Sequence, residues 1–360
     1  MESEGGARFE TGEAFYNERM EMNRDITVAV LRAWKGRVDR ETPSYLDANA
    51  ASGVRGVRAA LAGYDATLTD RSDEAVELAR RNVEENGVDA RVLHEDANVA
   101  MRRSRYDVVD VDPFGSPIPF ADATFNSADS LACFTATDTA PLCGAHDSGV
   151  RRYTCRPLNT PYHAEMGLRV LIGALVRTAA RYDVAATPVL SHSSDHYKRT
   201  YLTLEEGAKV SNETLGGIGF LSHCSDCGAR EAHDAANAAV PETDKRDCDC
   251  GAERDVAGPL WVGAVREPDF VDDVLEELDE EMGTYDRAKE TLRGVRDELD
   301  TPTHYDHHEV CKRAGETPSK LDAFLERLRD AGYEATEAHY SGTAFKTDAS
   351  HDALAKLVAE

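Results

Sequence analysis

The sequence predicts an α/β protein built on a doubly wound, mostly parallel sheet, followed by a ribbon-like insertion and a small α+β C-terminal domain. Three observations carry this reading: short apolar segments alternate with helical patterns between residues 45 and 204, the pattern changes to Gly- and Cys-bearing stretches after 204, and acidic helical patterns take over from 268. The candidate strands are 44–47, 67–69, 90–93, 106–111, 131–136, 185–191 and 200–204. Between them lie helices such as 73–86, whose Ala75, Leu78, Ala79 and Val83 share one face. After 204 come a Gly-rich connector, a Cys-bearing stretch over 223–251 and an apolar segment over 260–265, which suit a hairpin or ribbon. Helical patterns follow at 271–282, 285–299, 304–314 and 320–331, with a strand-rich end over 333–347. The expected units are 1–205, 206–267 and 268–360, with no internal repeat or low-complexity tract.

At 360 residues the chain can bury a sizeable core, and its charge is unusual: 67 acidic residues against 41 basic give a formal net charge of −26. Arg far outnumbers Lys, and there are four Ile. Dense carboxylates stay hydrated in concentrated salt while large apolar patches are driven together, so this balance points to a halophilic, archaeal source. The acidity does not exclude a nucleic-acid partner. In molar salt the Debye length shrinks to about 3 Å, and local Arg contacts can still seat a phosphate. The first 22 residues are polar and the longest apolar run, 170–176, is too short to span a bilayer, so a cytoplasmic protein is expected, with no membrane association and no protein partner implied. Eight Cys in such a protein read as thiols or metal ligands rather than disulfides.

The stretch from Asp47 through Gly53 and Arg55 to Gly56 follows the first strand and opens a helix, where a doubly wound fold binds its cofactor. Its small residues allow close backbone approach, although the G-x-G-x-x-G spacing is missing, and an ordinary strand-to-helix turn explains the segment equally well. Asp70 lies 23 residues after Asp47, near the separation at which a carboxylate captures a ribose hydroxyl, and also suits a helix N-cap or turn. Asp96 closes the third strand, with Ala97 placed to read an adenine edge. Three carboxylates at successive strand ends form a rim that suits the cationic S-adenosylmethionine better than NAD.

Residues 107–117 place a buried strand before a rigid turn, because Pro113 fixes φ and Gly115 permits tight curvature. That turn holds the Asp112 carboxylate and the Phe114 ring at the sheet's carboxyl edge. Methyl transfer to an exocyclic amine uses both: a carboxylate orients the N–H and eases charge development, and a ring stacks the base. The competing reading is that Asp-Pro ends a strand and Phe114 is core. From these residues alone the function stops at an amino-methyltransferase acting on tRNA, DNA or a small amine, with a nonenzymatic RNA-binding protein as the reading from another class.

The string Asp112-Pro113-Phe114-Gly115-Ser116-Pro117 resembles the reaction motif of tRNA (guanine-26) N2-dimethyltransferases. Segments 15–17 with 23–25, 52–58, 135–144 and 191–199 resemble the same family, in order, so the likeness covers nearly the whole chain. The resemblance implies a class I, Rossmann-like S-adenosylmethionine-dependent methyltransferase. It further implies that Arg24 and Arg55 help hold the cofactor, that Asp70, Asp96 and Ala97 contact its ribose and adenine, and that Asp112 is catalytic with Phe114 stacked on guanine. Two successive transfers would give N2,N2-dimethylguanosine at position 26 of tRNA. Arg151, Arg152, Tyr153, Tyr162 and His163 read either as facing the RNA or as a surface loop before a helix near Gly167.

Cys224-x-x-Cys227 and Cys248-x-Cys250 offer four thiolates in two close pairs, which is the ligand set of a structural zinc site. The second pair is C-x-C, a departure from the family's usual form, and reduced thiols are the alternative. Cys133, Cys143, Cys155 and Cys311 read as small buried residues, and His223 and His233 as solvent-exposed. Arg and Tyr among the acidic C-terminal helices suggest a domain that grips the tRNA body, or one that only stabilises the chain.

Overall fold

The computed structural model describes residues 1–12, 16–194, 196–234 and 247–359. Phe15 and Asp195, both in segments that carry the family resemblance, lie outside them. A hairpin of β1 (Glu2–Glu4) and β2 (Ala7–Phe9) precedes α1 (Glu21–Arg37). The main sheet then begins with β3 (Ser44–Asp47), α2 (Val54–Leu61), β4 (Asp65–Asp70), α3 (Asp73–Glu85) and β5 (Ala90–His94). It continues with α4 (Ala97–Arg103), β6 (Tyr106–Val111), α5 (Ile118–Ser127) and β7 (Ala128–Ala136). After α6 (Thr139–Leu142), α7 (Ser148–Tyr153) and α8 (His163–Ala179), the strands β8 (Val184–Ser193) and β9 (Lys198–Glu206) complete it.

The spatial order is β5-β4-β3-β6-β7-β9-β8, and every candidate strand of the sequence is present. The first five are parallel; β9 runs antiparallel to both β7 and β8. All six residues of β6 are buried, as expected of a strand covered on both faces. The α3 helix starts where Ser72 accepts a hydrogen bond from the Ala75 amide and where Asp73 and Glu74 complement the positive end of the helix. Helices α1, α2 and α3 bury Ile26, Val30, Ala59 and Ala79 on one face of the sheet, while α4, α5 and α8 bury Met101, Phe125 and Leu171 on the other. The side changes between β3 and β6, so the crevice of this doubly wound sheet opens at their carboxyl ends.

The Gly-rich connector contains more structure than its composition suggests: α9 (Ala208–Leu215) and then β10 (Ile218–His223), the central strand of a three-stranded antiparallel sheet with β11 (Arg230–Asp234) and β12 (Asp255–Trp261). The next helices, α10 (Pro268–Glu276) and α11 (Tyr285–Asp297), pack on α1, and α11 also touches the segment that follows it. Phe270 sits edge-on to Trp34 at 6.0 Å, and Val271, Leu292 and Val295 share the core of α1. The remaining elements, β13 (Tyr305–Asp306), α12 (His307–Ala314), α13 (Leu321–Asp330), β14 (Ala335–Glu337), β15 (Ala344–Thr347) and α14 (His351–Ala359), enclose a separate core around Phe324, Leu328, Phe345 and Leu354.

A buried ion cluster ties this last unit to α8. Lys346 Nζ lies 3.2 Å from Glu165 and 3.3 Å from Glu298, His304 Nδ1 lies 3.0 Å from Glu165, and Arg169 donates to Glu165 at 2.9 Å. His339 bridges further: its Nδ1 lies 3.1 Å from Glu298, and its Nε2 accepts from the Ser193 amide at the end of β8. Among the described residues no helix is long and apolar enough to cross a membrane.

Candidate active site

A cleft of about 1390 Å³ opens over the carboxyl ends of β4, β3 and β6, and its walls include Arg24, Asp47, Arg55, Asp70, Asp96, Ala97, Asp112 and Phe114. Asp47 ends β3 and accepts the Gly56 amide at 3.0 Å, drawing the start of α2 onto the strand. Between them the chain turns through Ala51 (φ 48°) and Gly53 (φ 79°). Gly53 does not line the cleft. A Cβ there would lie 2.9 Å from Ala79 Cβ, so the glycine serves the tight approach of the loop to α3. Asp70 clamps the loop from β4, its Oδ2 accepting the Ala51 amide at 3.0 Å and its Oδ1 the Ser72 amide at 2.9 Å. Asp96 caps α4 by accepting the Asn98 amide at 2.9 Å. The turn reading of Asp70 therefore holds alongside its position on the rim, while the N-cap of α3 is Ser72; Asp96 serves as an N-cap in addition to its place on the rim. Asn49 Oδ1 is buried in the cleft wall with no hydrogen-bond partner among the described residues, an acceptor left over for a ligand.

The turn that carries Asp112 and Phe114 is fastened just beyond the end of β7. The Gly115 amide donates to Thr137 Oγ1 at 2.7 Å, and the Thr137 amide donates to Gly115 O at 2.9 Å, with Gly115 at φ 99°. Phe114, at the tip, is 87 % exposed, which rules out the core reading of its ring. Asp112 is partly open to the cleft, and its Oδ2 accepts a hydrogen bond from Arg55 Nη2. Arg55 is thus committed to protein groups: it also donates to Asn23 Oδ1 at 2.9 Å and Thr27 Oγ1 at 3.0 Å. Arg24 is likewise engaged, by both oxygens of buried Glu4 at 2.7 and 2.6 Å, with its guanidinium over the Tyr16 ring. Both arginines border the cleft, but their charges are already answered by carboxylates.

Beneath Asp112 lies a second pair that the sequence reading did not single out. Arg199, near the start of β9, donates to both oxygens of Asp110 at 2.8 and 2.7 Å, and both residues are fully buried. Burial pushes the Asp110 carboxyl up, but Arg199 and Arg55 outweigh it and hold the group below its usual range. Asp47 has the opposite outcome. Its burial dominates, Arg55 opposes, and Asp110 and Asp112 add repulsion, so its carboxyl is pushed up to about 7. The signal for Asp110 was present, since residues 110 and 112 of a strand point the same way; its partner 89 positions away had none.

Of the residues read as facing RNA, Arg151, Arg152 and His163 are exposed, and the two arginines line the cleft. Tyr153 and Tyr162 do not face outward. Both are fully buried in the core, Tyr153 donating to Asp138 at 2.5 Å, and the helix begins at His163 rather than near Gly167. In the ribbon, the four sulfurs of Cys224, Cys227, Cys248 and Cys250 lie within 4.8 Å of one another, with Cys224–Cys250 at 3.6 Å and Cys227–Cys248 at 3.4 Å. Tetrahedral zinc with bonds of about 2.3 Å separates sulfurs by roughly 3.8 Å, so the set fits that ion. His223 is buried rather than exposed, edge-on to Tyr162 at 5.4 Å, and is not part of the set.

The family model described as N2,N2-dimethylguanosine tRNA methyltransferase matches residues 4–359. The chain belongs to this family. A tRNA (guanine(26)-N(2))-dimethyltransferase of Haloarcula marismortui is 53 % identical over 94 % of this chain and 91 % of its own length. One of Natronomonas pharaonis is 51 % identical over 97 % and 94 %. Among solved structures, the complex of Trm1 from Pyrococcus horikoshii with S-adenosyl-L-methionine superposes with a TM-score of 0.87 at 32 % identity, covering 99 % of this chain and 98 % of that one. At that coverage the family's fold extends through the ribbon and the C-terminal elements, not only the sheet.

Proposed function

We propose that the protein transfers methyl groups from S-adenosylmethionine to the exocyclic N2 of guanine at position 26 of tRNA, giving N2-methyl- and then N2,N2-dimethylguanosine. The observation that carries this is the pairing, on one pinned turn, of the Asp112 carboxylate with the exposed Phe114 ring, beside a rim of three strand-end carboxylates. Family membership narrows the amine to a tRNA guanine.

The cleft fits the cofactor: Asp70 and Asp96 with Ala97 suit its ribose and adenine, and Asp47 with Asn49 Oδ1 suits its ammonium group. When bound, S-adenosylmethionine supplies an electrophilic methyl group. Arg55 holds Asp112 Oδ2, which leaves Oδ1 to accept the guanine N2–H, aim the lone pair and take the proton released as the new bond forms. Phe114 stacks the extruded base. For the second transfer the remaining N–H must turn to Asp112 Oδ1, and the first methyl away from it.

In this reading residues 1–205 form the catalytic unit, 206–267 a ribbon in which Cys224, Cys227, Cys248 and Cys250 hold a structural zinc, and 268–360 a unit that grips the tRNA body in the cytoplasm of a halophile. The exposed Arg151 and Arg152 at the cleft suit RNA phosphates. Mass spectrometry of nucleosides from tRNA incubated with the purified protein and S-adenosylmethionine tests the proposal: dimethylguanosine at position 26 is expected, and unmodified tRNA beside methylated DNA or small amines would overturn it. Zinc is tested by metal analysis, with one equivalent expected and its loss in Cys248→Ser.

A further inference from the structure

Four residues, from α1, α2 and β9, converge on the hydroxyl of Thr27, which is buried on α1. Thr27 Oγ1 donates to its own helix at Asn23 O (2.7 Å) and accepts from Arg55 Nη1 (3.0 Å) and Arg199 Nη2 (3.2 Å), with Tyr201 Oη 2.8 Å away. Arg199 is itself fixed by both oxygens of Asp110 and by Thr135 Oγ1 at 2.9 Å, while Asp110 also accepts from Tyr45 at 3.1 Å and lies 3.5 Å from Arg55. Thr27 holds Arg55 through Nη1 and Asn23 holds it through Nη2, and this aims the other N–H of Nη2. Its target is Asp112, which borders the cleft beside Arg55 and, unlike Asp110, is only partly buried.

We propose that Thr27, Asp110 and Arg199 are positioning residues for methyl transfer: they hold Arg55 so that it presents Asp112, and through it the acceptor amine, in line with the methyl group. This rests on the methyl-transfer reading above. None of the three borders the cleft, so none touches substrate or cofactor. The network is built from groups of fixed geometry, with a bidentate guanidinium–carboxylate pair and a β-branched hydroxyl whose rotamer the helix restricts. Such groups constrain an angle as well as neutralise a charge. A displacement of about 1 Å in a reacting group costs up to roughly 10²-fold in rate, so even the loss of one hydroxyl from this chain should be visible in turnover.

The informative variant is Thr27→Val, which keeps the shape of the side chain and removes the shared hydroxyl. Single-turnover methylation of tRNA by the intact protein should slow by about 10-fold, with the Kd for S-adenosylmethionine and the KM for tRNA changed less than twofold. Thr27→Ser should recover most of the loss. Arg199→Lys, which keeps the charge but not the bidentate geometry, should slow turnover in the same way. The deciding measurement is a double-mutant cycle: in an Asp112→Asn background Thr27→Val should cost little more, because it acts through that carboxylate. If the two losses instead add in full, or if Thr27→Val lowers thermal stability while turnover stays at the wild-type rate, the positioning role is overturned. Wild-type protein inactive on tRNA would instead sink the methyl-transfer reading, a distinct outcome.

Discussion

Asp110 and Arg199 beneath the cleft, and Glu165, Lys346 and Glu298 at the junction with the C-terminal unit, are both buried ion clusters, but their charges are balanced differently. Below the cleft three carboxylates, Asp47, Asp110 and Asp112, face two guanidinium groups, Arg55 and Arg199. The group in excess is Asp47, whose carboxyl is pushed up to about 7 and which borders the cleft, so a sulfonium or an ammonium there would be welcome in place of its proton. At the junction Glu165 and Glu298 are answered by Lys346 and Arg169, with His304 and His339 completing the contacts, and the side chains are buried throughout. The first cluster is therefore fitted to complete itself with a ligand; the second is complete already and acts as a latch.

The contrast breaks most sharply at Asp112. Asp112→Asn should lower the rate of methyl transfer by about 10² to 10⁴-fold while leaving the unfolding midpoint nearly unchanged, measured with labelled cofactor and by thermal melting. A loss below tenfold would remove Asp112 from its catalytic place. Lys346→Met attacks the latch and should do the reverse. It leaves Glu165 and Glu298 buried without their shared cation, at a cost of about 3–5 kcal/mol in urea unfolding, with S-adenosylmethionine affinity retained. Phe114→Ala should separate binding from stability again: the ring is 87 % exposed, so folding should be indifferent, while tRNA affinity falls by about 1–3 kcal/mol in a binding titration.

The smallest effects concern pH, and the two clusters should respond with opposite sign. Burial holds Asp47 up at about 7 against an ordinary 3.8, so its folded form keeps a proton that the unfolded chain releases. Its contribution to stability is lost as pH rises from 3.8 to about 7. Asp47→Asn should therefore gain on the wild type across that window and run parallel above it. At the latch, burial raises the Glu165 carboxyl, but Lys346, Arg169 and His304 outweigh it and hold it well below its ordinary 4.5. Burial holds His304 below 6.5. Both contributions are present at neutrality and decline in acid, His304 from about 6.5 downward and Glu165 below 4.5. Unfolding curves that show the same pH slope for Asp47→Asn and Lys346→Met would undo the distinction.

How much of this was legible beforehand follows from the range of the interactions. The seven strands and the helix at Asp73–Glu85 are written in local periodicity, which depends on neighbours a few residues apart. The carboxylates of the cleft are legible for the same reason, since each sits at the end of its own strand. What escaped is long-range pairing. Glu4 on Arg24, Arg199 on Asp110 and Lys346 on Glu165 join residues 20 to 181 positions apart, and no local pattern marks them. Tyr153 and Tyr162 were misplaced because amphipathic rings suit a core and a surface equally; the hydroxyl of Tyr153 finds Asp138 inside. Sequence order likewise does not reveal that α10 returns to pack on α1.

The antiparallel course of β9 carries a further consequence for synthesis. Because that strand runs against its neighbours, its first residues rather than its last reach the carboxyl edge of the sheet, and Arg199 arrives beneath the cleft from a strand that begins at Lys198. A nascent chain that has emerged only through β7 already holds the residues of five parallel strands, yet Asp110 has no guanidinium from Arg199 to answer it. Until Arg199 has been made, Asp110 faces Arg55 alone, so the ion pairing beneath the cleft is completed only after the five parallel strands have been synthesised.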